Sequence, residues 1–575
     1  MYNSLKINKM GVVMDSFCGS CVKKESNKDK RRGSYFIDET DTSAPQSILD
    51  IKVNARNFVI QRKNTNVFDL YEKEQFLGEG AFGSVFKVKR KVSTSREIVR
   101  ALKEISKEAI GSNEEEDLRN EIEVLKSLDH PNIMKIFEFF EDEKYIYLIA
   151  EFCGGGDIAG LMDKYGVFPE FLLKYIMFQV FMAISFLHSN KVVHGDIKRE
   201  NIAFVSTIKD KEKNEIDEFF KNFFQDKEIQ SELAEASGLE NLSDKALSIA
   251  RELANFDMKI LDFGSAKMKK KGRQYEQLSG ITGTVYYCSP EVVKDEYDFD
   301  CDEWACGVMM YILLAGYPPF EGNDEDEIFK NILNRNPNFD VPELKNVTED
   351  CIDLMKKLLE KDAGKRIKAD DALKHAFFKN GINIGNLLRG KYKENAEILK
   401  TLFKRKTVEL KDKKKSKFKD VVIAYIALNF SDQSEEKQAR QIFMEMAGGD
   451  KHFLIQKNTF VTRMGQICKD LNKKEIEDLF NSIDENDSGN IEYEELVRAL
   501  TDKEKLLSDK NMKEAFAFFD KDNNGSISWN EIAEVVYPEG NIPKNTIKEF
   551  LKEIGQKDED MEIDFNEFKK ILRNK

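Results

Sequence analysis

Two acidic loops of twelve residues, each with a glycine at its centre, do most to limit what this chain can fold into. They are Asp484-Glu-Asn-Asp-Ser-Gly-Asn-Ile-Glu-Tyr-Glu-Glu495 and Asp520-Lys-Asp-Asn-Asn-Gly-Ser-Ile-Ser-Trp-Asn-Glu531. A hard cation such as calcium takes oxygen ligands from loop positions 1, 3, 5, 7, 9 and 12, with glycine at 6 for the turn. The first loop offers Asp484, Asn486, Ser488, the Asn490 carbonyl, Glu492 and bidentate Glu495, turning at Gly489. The second offers Asp520, Asp522, Asn524, the Ser526 carbonyl, Ser528 and Glu531, turning at Gly525. Apolar residues at helical spacing flank them, as at Leu479, Phe480 and Ile483, so each loop is predicted to join two helices.

A different chemistry precedes these loops. Gly78-Glu-Gly-Ala-Phe-Gly83 lies between the strand-like stretches Gln75-Phe-Leu-Gly78 and Ser84-Val-Phe-Lys-Val-Lys89. The loop is therefore a hairpin tip, unlike the strand–loop–helix of a dinucleotide site. Glycines there, with Leu77 and Val85 at the flanks, let backbone N–H groups come close to phosphate oxygens. Lys103 follows at a distance suited to an adjacent strand, and Glu121 sits on the next helix, within reach of it. His194-Gly-Asp-Ile-Lys-Arg-Glu-Asn201 and Asp262-Phe-Gly264 come later, in that order.

From about Tyr71 to Phe378 these motifs, with Ser289-Pro-Glu291 and Arg366, resemble the protein-kinase family in order and spacing. The two acidic loops extend the resemblance to calcium-dependent protein kinases. It implies an α+β bilobal kinase fold followed by an all-α EF-hand domain, using ATP, Mg2+ and Ca2+. Lys103 would bind the α/β-phosphates with Glu121 as anchor, and Glu151 to Cys153 would meet adenine through the backbone. Asp196 would accept the substrate hydroxyl proton, Lys198 would neutralise the migrating phosphoryl group, and Asn201 and Asp262 would hold magnesium. Lys198 and Gly283-Thr284 match the serine/threonine pattern. Glu291 is expected to pair with Arg366, and Asp302 and Trp304 to be buried.

The chain departs from the family at a few points. Gly195 replaces the arginine before the catalytic aspartate, so activity is expected not to depend on activation-loop phosphorylation. Arg199 stands where proline is usual, and Ser289 where alanine is. Ala150 occupies the position that gates the back of the adenine pocket, predicting an open cavity and sensitivity to bulky ATP-competitive inhibitors. Asp157 and Glu200 match positions that read basic residues before the target hydroxyl.

Composition sets the outer limits. At 575 residues roughly three to four domains are expected. A net charge of −14 argues against nucleic-acid partners, which need a basic face. Eight cysteines without framework spacing point to a reducing, cytoplasmic setting, and Cys18 and Cys21 lack the further ligands zinc needs. The apolar run near Gly307–Leu314 is too short to span a bilayer, which takes ~18–20 residues. Met10-Gly-Val-Val-Met-Asp-Ser16 vaguely resembles an acylation signal, so membrane contact is expected only if the N-terminus is acylated. A monomer acting on protein substrates is expected.

The domain reading is as follows. Residues 1–67 form a flexible arm and 71–378 the kinase domain, interrupted by a charged surface insertion at about 206–255. Residues 379–432 form a basic autoinhibitory junction and 433–575 a calmodulin-like domain. Phe418, Val421, Val422, Tyr425 and Ile426 share one face of a helix that is expected to be the intramolecular target of the hands. Two outer loops are degenerate. Ala447–His452 is expected to be hand-shaped without calcium, and Gln556–Glu567, with Asp558, Asp560 and Asp564 but Met561 in the glycine place, to bind weakly or not at all. The alternatives are a kinase-like calcium-sensing scaffold without catalysis, and an active kinase whose hands serve structure or buffering only.

Overall fold

The computed structural model describes residues 60–573 except 64–65, 81–82, 92–97, 109–121, 123–124, 127, 206–209, 255, 269–284, 295–297, 389–397, 402–416, 431–432, 448–453, 470, 502–505, 523 and 537–561. Glu121, Gly283-Thr284, Cys18, Cys21, the acylation-like stretch, Asp558 and Asp560 therefore lie outside the described residues.

Strands β1 (Ile60–Lys63), β2 (Tyr71–Gly80), β3 (Gly83–Arg90), β4 (Val99–Ser106), β5 (Ile136–Glu141) and β6 (Tyr145–Ala150) form one sheet in the order β1-β5-β6-β4-β3-β2. All neighbours are antiparallel except β1 on β5. Alternation drives this sheet. Val88, Leu102, Phe140 and Ile149 pack on one face beneath a helical turn at Val67–Leu70, while Ile105, Phe139, Ile146 and Leu148 pack on the other. A buried Glu138 is satisfied by the Tyr71 hydroxyl at 2.9 Å and Arg90 at 3.1 Å. The expected arm is corrected at its end, because Ile60–Lys63 is the edge strand. Edge pairing uses backbone groups, so Ile-Gln-Arg-Lys needs no apolar alternation and gave no signal.

The helical lobe is built on α1 (Ile158–Tyr165), α2 (Glu170–Ser189), α3 (Asp210–Gln225), α4 (Lys227–Glu235), α5 (Asp244–Leu253), α6 (Asp300–Ala315) and α7 (Glu349–Leu358). Helix α2 is apolar on every side and central, as its composition requires. At 20 residues it is long and apolar enough to cross a membrane, unlike the run noted at Gly307–Leu314, but 83% of its apolar window is buried inside the protein. Two short pairs complete the lobe: β8 (Ile202–Phe204) with β9 (Met258–Ile260), and β7 (Val192–Val193) with β10 (Lys267–Met268).

The insertion is not a surface loop. Ile216, Phe219, Phe220, Phe223 and Phe224 recur at helical spacing on α3, and all five are buried in the lobe's core. Tyr165 stacks on Phe224 at 5.1 Å, and Phe204 meets Phe220 at 5.3 Å. Asp226 and Ser243 cap α4 and α5. Burying one such phenylalanine contributes about 1.5–3 kcal/mol, so this face outweighs the charged residues that suggested a solvated loop. The lobe also continues past residue 378, because Ile382, Ile384 and Leu387 are buried in its core rather than in the junction.

C-terminal to the lobe come α8 (Lys417–Phe430), α9 (Gln433–Ala447), β11 (Ile455–Gln456), α10 (Lys457–Ile467), α11 (Lys473–Ile483), β12 (Asn490–Ile491), α12 (Tyr493–Leu500), α13 (Asp509–Phe519), β13 (Ser526–Ile527), α14 (Trp529–Val536), β14 (Ile563–Asp564) and α15 (Phe565–Arg573). β11 pairs with β12 and β13 with β14, so the hands come in two pairs. Helices α9 and α10 flank the degenerate outer loop and β11 follows it; residues 448–452 of that loop lie outside the described residues. The first pair shares the helical lobe's core through Ile442, Phe443, Phe460 and Phe480. The second pair encloses α8, against which α12 of the first pair also packs.

Candidate functional site

A cavity of about 640 Å3 opens where the sheet meets the helical lobe. Leu77, Gly78, Val85, Lys103, Ala150, Glu151, Cys153, Asn201 and Asp262 line it, as do Asp157 and Glu200. Register explains part of this gathering, since Lys103 pairs with Val85 on one side and Leu148 on the other. Gly80 and Gly83 pair at the hairpin end, and a Cβ on Gly83 would collide with the Glu104 carbonyl. At the hinge, the Glu151 N–H donates to the Lys135 carbonyl at 2.9 Å, and the Glu151 carboxylate pairs with Lys259 at 2.9 Å.

Lys103 Nζ lies 2.9 Å from Asp262 Oδ1. Burial opposes charge on Asp262, but the Lys103 ammonium outweighs it and holds the carboxyl below the usual carboxylate range. Asp262 sits at φ +54°, the left-handed region. Asp196 Oδ2 accepts from Lys198 Nζ at 2.7 Å and from Asn201 Nδ2 at 2.9 Å, so two donors fix its orientation. Asp302 and His194 support this turn from behind. Asp302 accepts the N–H groups of His194 at 3.0 Å and Gly195 at 2.9 Å, and His194 Nε2 reaches the Leu261 carbonyl at 3.0 Å. Gly195 has φ +77°, and a Cβ there would press to 3.0 Å from the Ser265 carbonyl, which accounts for glycine at this position.

The expected Glu291–Arg366 pair is present, while Glu121, the expected partner of Lys103, lies outside the described residues. Arg366 is buried and forks onto both Glu291 oxygens, the second at 3.0 Å. Asp302 and Trp304 are buried. Ala150 pairs with Ala101 and Ile136, and only its methyl faces the cavity's rear wall of Leu125, Met134 and Leu148. Asp157 also caps α1 by accepting from the Gly160 N–H at 2.7 Å.

The acidic loops are preshaped. In the first, Glu495 accepts the N–H groups of Glu485 at 2.9 Å and Glu492 at 2.9 Å, while Asp484 accepts those of Ser488 and Gly489. Asn486 donates to Glu492 at 3.1 Å, and Ser488 Oγ to the Asn490 carbonyl at 3.0 Å. The second repeats the scheme. Glu531 accepts from Lys521 and Ser528, Asp520 from Asn524 and Gly525, and the Ser526 hydroxyl donates to Asn524. Gly489 and Gly525 have φ +79° and +91°, as turning residues must. Oxygens of Asp520, Asp522 and Glu531 lie within 4.8 Å of one another. Burial pushes Glu495 up to about 8 and raises Asp520. Carboxylates crowded and buried in this way suit a divalent cation, so the residues present fit calcium.

Comparison with known proteins agrees with this geometry. Residues 71–221 and 242–378 match the protein kinase domain, and 473–537 and 509–573 match the EF-hand domain pair. Calcium-dependent protein kinase 3 of Plasmodium berghei (strain Anka) is 32% identical over 544 residues, covering 92% of this chain and 84% of that protein. Calcium-dependent protein kinase 4 of the same organism is 31% identical over 581 residues, covering 96% and 97%. Calcium-dependent protein kinase 4 of Plasmodium falciparum (isolate 3D7) is 32% identical over 531 residues, covering 89% and 88%. This chain belongs to the calcium-dependent protein kinase family. It is a serine/threonine kinase that uses ATP and Mg2+, responds to Ca2+ and acts on protein substrates.

Sequence reasoning missed how the kinase's two parts touch. Arg440 of α9 is buried against Asp257 and Gln179 of the helical lobe. The Glu494 N–H at the start of α12 donates to Asp129 at 2.8 Å, and its carboxylate pairs with Lys135 at 2.8 Å. Arg90 of the sheet pairs with Glu514 of α13 at 3.2 Å. Partners hundreds of positions apart leave no local pattern to read.

Proposed function

We propose that this kinase is held inactive by its own junction at low calcium and is released when the two central loops fill. The observation that carries this reading is the burial of α8. Phe418 and every residue from Val421 to Ala427 are covered, and Tyr425 stacks on Phe518 at 4.0 Å inside the second hand pair. The apolar stretch 421–427, buried on every side, needs a groove, and the hands provide one. At low calcium the hands close, and α8 with the basic stretch before it obstructs the kinase lobe; that stretch, 402–416, lies outside the described residues.

Bound ATP and magnesium supply the transferable phosphoryl group and the charge that screens it. Lys103 and Asp262 would hold the phosphates and the metal, with Asn201 beside them. Asp196, aligned by Lys198 and Asn201, would take the proton from the attacking hydroxyl, and Lys198 would balance negative charge on the moving group. The hinge would read adenine through the Glu151 carbonyl and the Cys153 backbone, since the Glu151 N–H is already engaged. Asp157 and Glu200 favour targets with basic residues before the hydroxyl. The enzyme acts as a monomer in the cytoplasm, with membrane contact only if its arm is acylated.

Phosphorylation of matched basic and acidic serine peptides, with EGTA and with micromolar free calcium, tests this. The expected result is strong calcium stimulation and faster labelling of the basic peptide. Equal rates with and without the chelator would overturn the regulatory reading, and equal rates on the two peptides would overturn the specificity.

A further inference from the structure

One helix of the calcium-sensing region holds a short strip of the kinase, residues 129–135, a second reaches that strip through Gln179, and Met134 of the strip lines the ATP cavity. On one side, Glu494 holds Asp129 through its N–H at 2.8 Å and Lys135 through its carboxylate at 2.8 Å. The Lys135 carbonyl in turn accepts the hinge N–H of Glu151. On the other side, Arg440 is anchored on Asp257 and Gln179. Gln179 Oε1 also accepts Asn132 Nδ2 at 3.0 Å, and the same amide donates to the Met258 carbonyl at 2.9 Å. The Asn132 carbonyl then accepts the Ile260 N–H at 2.8 Å, and the Ile260 carbonyl accepts Met134 N–H at 3.0 Å. Strand β9, which carries Met258 and Ile260, runs directly into Asp262.

We infer that Glu494 and Arg440 are positioning residues that align the hinge and the Asp262 strand when the sensor is seated on the kinase. Glu494 adjoins Glu495, the residue at position 12 of the Asp484–Glu495 loop, and Arg498, one turn further along α12, pairs with Glu485 of the same loop at 3.1 Å. Filling that loop thus fixes the end of α12 that holds Asp129 and Lys135. The Asp484–Glu495 loop thus reaches the ATP site and, through α12, α8 as well, while the helix before Asp520–Glu531 holds α8 from the other hand pair. The inference rests on the calcium-activated reading above and names the path by which that activation reaches the cleft.

The test uses the full chain with Lys135→Glu, Glu494→Lys, the exchanged pair carrying both changes, and Arg440→Ala. kcat and KM for ATP are measured in saturating calcium and in EGTA, with calcium binding followed by calorimetry. Removing one partner of a buried charge pair weakens a contact by roughly 30-fold or more. A calcium-stimulated kcat/KM for ATP lower by that order is expected in each single variant, with two calcium ions still bound. The exchanged pair should recover most of the loss, which a general loss of folding would not allow. Single variants with wild-type kcat/KM in calcium, or an exchanged pair no better than its parents, would overturn the inference. Should Arg440→Ala fail to fold, the variants of the partly exposed Lys135 and its partner Glu494 decide alone. Failure of the underlying reading is distinguishable, because unmodified protein would then label peptide equally in EGTA and in calcium.

Discussion

The open rear of the ATP cavity gives a prediction with a calculable size. Ala150 ends β6 between Ala101 and Ile136, and its methyl group leaves the space before Met134 and Leu148 unfilled. An ATP-competitive inhibitor with a naphthyl-sized group could bury about 100 Å2 of apolar surface there, and at ~25 cal/mol per Å2 this is about 2.5 kcal/mol, or roughly 70-fold in the inhibition constant. Ala150→Met places a flexible thioether in that volume and adds steric overlap, so the loss should be at least that large. ATP has no group reaching behind this position, so its KM should move far less than the inhibitor constant. The assay is peptide phosphorylation at fixed calcium, titrated with the bulky inhibitor and with a parent compound lacking the aromatic group. The variant should lose the advantage of the bulky compound while keeping that of its parent. Inhibition by the bulky compound that is unchanged in Ala150→Met would refute the reasoning.

Two further predictions concern stability. Phe220 is fully buried among Phe204, Phe219, Phe224 and Phe256, so Phe220→Ala should cost about 3–5 kcal/mol by chemical denaturation of the kinase lobe, and a loss below about 1 kcal/mol would mean the inserted helices do not belong to the core. His188 is buried, which disfavours its charge, yet Glu303 and Asp302 outweigh burial and raise it to about 10. A raised folded value gives stability that is full below about 6.5 and is lost as pH climbs toward 10. Melting temperature should therefore fall across that interval, and His188→Gln should flatten the slope; an identical slope in the variant would exclude His188 as its source.

The parts legible in the sequence were those whose chemistry is local in the chain. The glycine hairpin, the turn from His194 to Asn201 and the twelve-residue loops each carry their own geometry in consecutive residues, and the structure brings Lys103, Asp196, Asn201 and Asp262 to one cleft. The inserted helices were legible too, through Ile216, Phe219, Phe220, Phe223 and Phe224, but the surrounding charges drew the reading toward a solvated loop. The strand at Ile60–Lys63 was not, because an edge pairing asks nothing of its side chains. Nor were the Arg440–Asp257 and Glu494–Asp129 contacts, since each joins residues far apart whose types are unremarkable alone.

Residues 421–427 of helix α8 are covered round the whole circumference, and that has a cost for any switch built on it. A rod with no water-facing side cannot wait in solvent between two hosts without recruiting neighbours into aggregates. Inactivation therefore has to be a hand-over, in which another surface receives the rod as the first one lets go, or a melting of the rod itself. Either route makes the off-step slow and steeply dependent on temperature, and leaves a brief interval in which an environment-sensitive dye would light up.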